Sequence, residues 1–161
     1  MLTIGIDPGT AITGYGIVQE SSAGNLSVVD YGVITTSSKM EMADRLVLIY
    51  EELRRIVEKH QPDVAAVEKL FFQKNVRTAI SVGQARGVAI LALAQSGLAV
   101  SEYTPLEIKQ AVTGYGGADK YQMQSMVKAL LNLGELPQPD DAADALAVAI
   151  CQLHSRKMEN L

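Results

Sequence analysis

A single cysteine, Cys151, is all the thiol chemistry this 161-residue chain carries. That excludes an internal disulfide and a multi-cysteine metal site, and it fits a reducing compartment. Proline is scarce, with 5 residues scattered along the sequence, and 48% of residues are hydrophobic against 20% charged, which excludes a collagenous or disordered chain in favour of a globular one. Long hydrophobic runs are missing as well: the longest, "VAILALA", falls far short of the roughly 20 residues that span a bilayer, and no leader pattern opens the chain. The expectation is a cytoplasmic protein with no membrane contact. Positive charge is not in excess either. A net charge of −4 argues at first against a nucleic-acid partner, because phosphate binding normally leaves a basic footprint. The distribution reverses that argument: residues 69–128 hold seven Lys and Arg against three acids, a net +4, and the remainder carries −8. The length suits one domain with a proper core, so residues 1–161 are expected to form one.

Turn chemistry divides what is present. "LTIGID", "TGYGIVQE" and "LSVVDYGVITT" are apolar or alternating runs separated by "PGT" and "SSAGN", which predicts three strands in an antiparallel meander. Ser38 and Glu41, three apart, read as a capping box before a helix in which Leu46, Ile49, Leu53, Ile56 and Val57 recur at 3 and 4, ending near His60. "DVAAVEKL" predicts a fourth strand with Glu68 at its end, residues 76–97 a long helix closed by Gly97, and "LAVSEY" a fifth strand. Thr104, Pro105 and Glu107 start a further helix by a capping box, and after the loop "TGYGGADK" come a helix over about 120–132 and a last one from "PDDAADALAVAICQLH". The strand–helix–strand units require parallel pairing through right-handed crossovers. The predicted fold is therefore α/β: a mixed five-stranded sheet, three antiparallel strands and then parallel ones, flanked by helices.

Four acids stand where acids are expensive. Asp7 lies inside the first strand, Glu68 closes the fourth, and Asp141 and Asp144 share one face of the last helix at i and i+3, leading into Ala145 and Val148. Each has a plain reading. Asp7 before Pro8-Gly9 reads as a turn former, Glu68 as a partner for Lys69, and Asp140, Asp141 and Asp144 as helix-start acids favoured by the dipole, which is the preferred reading for Asp140. If the last helix lies over strands 1 and 4, however, Asp7, Glu68, Asp141 and Asp144 converge, and so many like charges require protonation or a bound cation. Oxygen-only ligands suit Mg²⁺, with Mn²⁺ a plausible substitute. Two such ions roughly 4 Å apart serve in-line phosphoryl displacement. The implied chemistry is phosphodiester hydrolysis.

"IGIDPGTAITGYG", "VEKLFFQKN", "VGQARG", "EIKQAVTGYGGADK" and "DDAADALAVAI" occur in order across nearly the whole chain. Together they resemble the RuvC family of bacterial Holliday-junction resolvases. The resemblance implies an RNase H-like fold, a homodimer, and divalent metal used to make two symmetric nicks in four-way junction DNA, in cooperation with the RuvAB branch-migration motor. It also implies that the family's catalytic carboxylates fall on Asp7, Glu68, Asp141 and Asp144. Its functional lysines fall on Lys109 and Lys120, and its DNA-contacting aromatic on Phe71.

Phe71 and Phe72 are the only phenylalanines, and they precede Lys74, Asn75 and Arg77. An aromatic beside a cut site stacks on an unpaired base while cations neutralise phosphates; the plain reading puts both rings in the core. The expectation is one ring buried and one functional, with Phe71 favoured. Lys109 and Lys120 are otherwise ordinary solvated lysines, although a glycine-rich loop before Lys120 suits a phosphate. Helix 76–97, rich in Gly and Ala, packs in a core or against a partner helix, and a twofold contact is the favoured reading. Cys151 reads as a small buried hydrophobe, and His60 and His154 as helix-end residues on the surface or at the dipole. "IGIDPGT" alone also resembles the first phosphate loop of actin-like ATPases and sugar kinases. Those need two lobes, for which the chain has no room. A junction-binding module without chemistry is the other rival, and four intact acids speak against it.

Overall fold

The computed structural model describes residues 1–69 and 76–160. Strands β1 (Leu2–Asp7), β2 (Ile12–Glu20) and β3 (Leu26–Thr35) form the antiparallel meander, followed by helix α1 (Met42–His60), strand β4 (Val64–Glu68), helix α2 (Val76–Gln95), strand β5 (Ala99–Tyr103), and helices α3 (Pro105–Thr113), α4 (Lys120–Leu130) and α5 (Asp140–Glu159). The five strands make one sheet in the order β3-β2-β1-β4-β5, with β1, β4 and β5 parallel.

Strand alternation sorts the side chains into two layers. Ile4, Ile6, Ile17, Ala65 and Val67 point to one face, where Ile49, Leu53 and Val57 of α1 and Ala85, Ala89 and Leu93 of α2 cover them. The other face, with Val18 and Ala66, is covered by Ile108 and Val112 of α3, Val127 of α4 and the length of α5 from Leu146 to Leu153. Thr104 and Glu107 make the expected capping box at α3. The Ser38–Glu41 box does not form: α1 begins after Glu41, which caps with extended backbone and no side-chain hydrogen bond. Ser38 lies too far upstream, in a turn whose hydroxyl neighbour Ser37 bonds Lys39 N instead. A box that does form, Asp119 with Gln122 at α4, has the same acid-x-x-Gln spacing in the sequence.

Among the described residues α2 is the one helix long and apolar enough to cross a membrane by length and composition, although its uninterrupted apolar run is short. Its Ala85, Ala89, Ala92 and Leu93 are buried on the sheet, and Val76, Ile80, Gly87 and Leu91 are exposed on the far side. The helix is apolar on both faces, which is why it passes that test. Both histidines are half-buried and hydrogen-bonded, and His60 stands in the last turn of α1, as the dipole reading has it. His60 Nε2 donates to Asp30 Oδ2 at 2.8 Å, and His154 Nδ1 donates to the Ala111 carbonyl at 2.8 Å. Cys151 is buried as expected, and burial pushes its thiol up to about 11.

Candidate active site

Asp7 and Glu68 are brought together by parallel pairing. Ile6 is level with Val67 in the β1–β4 register, so the next residue of each strand, Asp7 and Glu68, emerges side by side at the carboxyl ends, where ligands of parallel sheets gather. The loop after Asp7 is tied on both sides. Thr10 Oγ1 donates to the Ser81 carbonyl of α2 at 2.7 Å, Thr36 Oγ1 donates to the Thr10 carbonyl at 2.6 Å, and Thr13 Oγ1 donates to the Gly9 carbonyl at 2.6 Å.

Three glycines admit α5. Asp7 pairs across to Gly14, and Gly5 pairs across to Gly16. A Cβ on Gly14 would stand 1.9 Å from the Asp141 carbonyl oxygen, one on Gly5 2.2 Å from that of Ala145, and one on Gly16 2.7 Å from Leu146 N. The α5 backbone therefore rests directly on β1 and β2, and it lies over these strands more than over β4. The condition set by the sequence, a last helix over strands 1 and 4, is met on β1 and in part on β4, and the glycines, whose missing side chains make room on that side, extend the contact onto β2. Gly14, Gly16 and Gly5 were legible as alternate small residues, but only the register aligns them beneath one helix.

The electrostatics follow from burial and crowding. Asp7 is pushed up to about 9, first by burial, then by the Glu68 charge and a hydrogen bond with Glu68, with smaller contributions from Asp144 and Asp141. Glu68 is also raised by burial, while its bond with Asp7 and the nearby Lys109 ammonium oppose the rise. A hydrogen bond between two carboxyls requires a proton, and that proton belongs to the pair rather than to either residue. Asp144 is pushed up to about 6 by burial and then by the Glu68 charge, and Lys120 opposes this. The structure thus brings Asp7 and Glu68 into contact, with Asp141 and Asp144 close enough to act on Asp7 through charge. Among the described residues no group of three His, Cys, Asp or Glu is drawn in tightly enough to hold an ion as it stands. The donor set itself fits a hard divalent cation: carboxylate oxygens only, partly desolvated, with Asp7, Glu68 and Asp144 raised in the direction a cation would reverse.

Two recesses flank the pair. One of about 230 Å³ is lined by Glu68, Asp144, Lys109 and Lys120, with Ile108 and Met123 as apolar wall. The other, about 240 Å³, is lined by Asp7, Glu68, Lys69 and Arg86. Lys109 and Lys120 therefore line the same recess as Glu68 and Asp144, while Lys69, read from the sequence only as a partner for Glu68, and Arg86, given no site role there, line the other. Arg86 is ion-paired with Glu102 of β5. Arg77 is exposed in the first turn of α2 and lines neither recess. Phe71, Phe72, Lys74 and Asn75 lie outside the described residues.

Residues 3–152 match the family model described as crossover junction endodeoxyribonuclease RuvC. The chain belongs to the RuvC family. It is similar to the crossover junction endodeoxyribonuclease RuvC of Roseiflexus sp. (strain RS-1), 58% identical over 97% of this chain and 92% of that protein. It is also similar to the one from Chloroflexus aurantiacus (strain ATCC 29366 / DSM 635 / J-10-fl), 59% identical over 96% and 94%. Among solved structures, Thermus thermophilus RuvC in complex with Holliday junction substrate superposes with a TM-score of 0.94 at 33% identity, covering 99% of this chain and 96% of that one. The mixed sheet with helices on both faces is thus the RNase H-like fold of RuvC.

Proposed function

We propose that this chain is a structure-selective endodeoxyribonuclease that resolves four-way Holliday junctions by paired symmetric nicks, in homologous recombination and DNA repair. It works in the cytoplasm, with residues 1–161 acting as one nuclease domain. The observation that carries the chemistry is the half-buried Asp7–Glu68 contact, with Asp144 and Asp141 facing it from a helix seated on glycines. Asp7, Glu68, Asp141 and Asp144 would hold divalent metal, two Mg²⁺ ions with Mn²⁺ as substitute, which supplies Lewis acidity and a water of lowered pKa when bound.

The chain's own groups do the rest. Rigid strand ends fix Asp7 and Glu68, so little reorganisation is needed when the phosphate arrives. Lys109 and Lys120, on the rim of the recess that Glu68 and Asp144 line, offset the charge that gathers on the phosphoryl oxygens. Water adds to phosphorus as the bond to the 3′ oxygen breaks, leaving a 5′-phosphate and a 3′-hydroxyl. Phe71 or Phe72 stacks on an unpaired base beside the cut, and Lys74, Asn75 and Arg77 contact the backbone. A RuvAB-type branch-migration motor would deliver the junction, a reading that rests on family membership alone.

The test is incubation with a synthetic four-way junction and a matched linear duplex, with Mg²⁺ or with EDTA. Paired nicks on the junction alone, and only with Mg²⁺, are expected. Equal cutting of the duplex, or cutting in EDTA, would sink the proposal.

The outer stripe of α2 supports a homodimer. Val76, Ile80 and Leu91 are 76%, 58% and 50% exposed, and with Gly87 and Ala94 they recur at the 4-and-3 spacing of a helix–helix seam. A twofold contact there would set the distance between two cut sites on opposite strands. Ile80→Glu is expected to shift the protein to monomers in sedimentation velocity and to replace paired nicks by single ones. A variant that stays dimeric, with the seam so charged, would place the dimer contact elsewhere.

A further inference from the structure

Asp140 has no place in the four-carboxylate arrangement, yet it is the best-connected acid at the start of α5. Its Oδ2 accepts from Lys120 Nζ at 2.7 Å, and its Oδ1 accepts from Gln124 Nε2 at 3.0 Å. Lys120 and Gln124 are i and i+4 on α4, so one helix face grips a single carboxylate with two donors. Gln124 is 9% exposed, so a largely buried amide fixes one oxygen of an Asp140 carboxylate whose side chain is 50% exposed. Lys120 is different: its side chain is 58% exposed, and its four-carbon stem would otherwise sample many rotamers. An exposed ion pair of this kind adds little stability. Its consequence is placement, because Lys120 lines the recess that Glu68 and Asp144 also line.

We propose that Asp140 is a positioning residue for Lys120: anchored by Gln124, it holds the lysine ammonium at the rim of the carboxylate recess. The ammonium has three donors, and Asp140 takes one, leaving two for phosphoryl oxygens of the scissile group. Asp140 touches neither substrate nor reacting atoms and acts only through Lys120. Asp141, one residue on, faces a different side of the helix and does not share this duty. The inference rests on the resolvase reading above.

Asp140→Asn keeps an oxygen for Gln124 and removes the charge that Lys120 sees. The expected result is an about tenfold slower single-turnover cleavage of a four-way junction at saturating protein and Mg²⁺, in keeping with the cost of small misplacements. Junction Kd should be unchanged or tighter, Tm should fall only slightly as a helix-start charge and an exposed ion pair are lost, and the Mg²⁺ midpoint of activation should stay where it is. Lys120→Met should also be slower, and the double variant no slower than Lys120→Met alone. Wild-type rate in Asp140→Asn, additive losses in the double variant, or a shifted Mg²⁺ midpoint would each overturn the inference, the last by placing Asp140 among the ion-holding groups. A wild-type protein that nicks nothing would overturn the resolvase reading, and this one with it. Nicking by the wild type with an equally fast Asp140→Asn overturns this one alone.

Discussion

Asp7→Asn is expected to lose cleavage of a four-way junction by roughly 10³-fold or more, the several kcal/mol that removal of a charged ligand withdraws from the transition state. It should still bind the junction. The same variant should be the more stable protein in EDTA, by about 1–3 kcal/mol, since it no longer has to bury a carboxyl that pH would ionise. The sign follows from linkage. Asp7 is raised in the folded state to about 9 from 3.8, so the folded protein binds that proton more tightly than the unfolded one. The stabilisation is complete below about pH 4 and is lost as pH rises toward 9. Thermal melts in EDTA should therefore show the wild type falling behind Asp7→Asn increasingly between pH 5 and pH 9. Mg²⁺ should close or reverse that gap, because binding to the folded wild type stabilises it. Junction binding lost together with cleavage in a folded variant would remove Asp7 from the catalytic set. A wild type whose melting in EDTA ignores pH would contradict the shared proton.

Gly14→Ala is the second large effect. The added methyl would meet the Asp141 carbonyl oxygen at 1.9 Å and the Ala142 amide nitrogen at 3.1 Å. Both are backbone atoms of α5, so no rotamer change relieves the clash. The helix must lift, or the strand must bend. A cost of about 3 kcal/mol is expected from such overpacking, read as a fall in Tm or denaturant midpoint. Because the displaced turn carries Asp141 and Asp144, cleavage at a temperature where the variant is folded should drop on the order of 10²-fold. Gly134→Ala is the control: nothing lies within 4 Å of its added Cβ, and stability and cleavage should be unaltered. If Gly14→Ala behaves like that control, α5 does not rest on β2 as described.

Much of this was legible in the sequence. The strand and helix order, the cap at Thr104, the close of α2 at Gly97 and the burial of Cys151 follow from neighbours a few residues apart, where turn chemistry, period and capping decide. The four acids were legible as misplaced charges: an aspartate among isoleucines and two acids heading an apolar stripe. The capping box at Ser38 and Glu41 shows the limit of such reasoning. The right residues at the right spacing were present, and the helix simply began beyond them.

The sequence alone determined which acids stand where acids are expensive, because only certain side chains carry charge and each sits at the end of an element that local rules predict. Tertiary structure decided how those groups meet. The β1–β4 register sets Asp7 beside Glu68, and the pairing of Gly5 with Gly16 and Asp7 with Gly14 opens the trough in which α5 lies. The partnership of Lys120 with Asp140, 20 residues apart in sequence, came from the same source. Contacts of this kind depend on how close two backbones can approach. That distance is fixed by side chains from strands and helices far apart in the chain, which no local pattern contains.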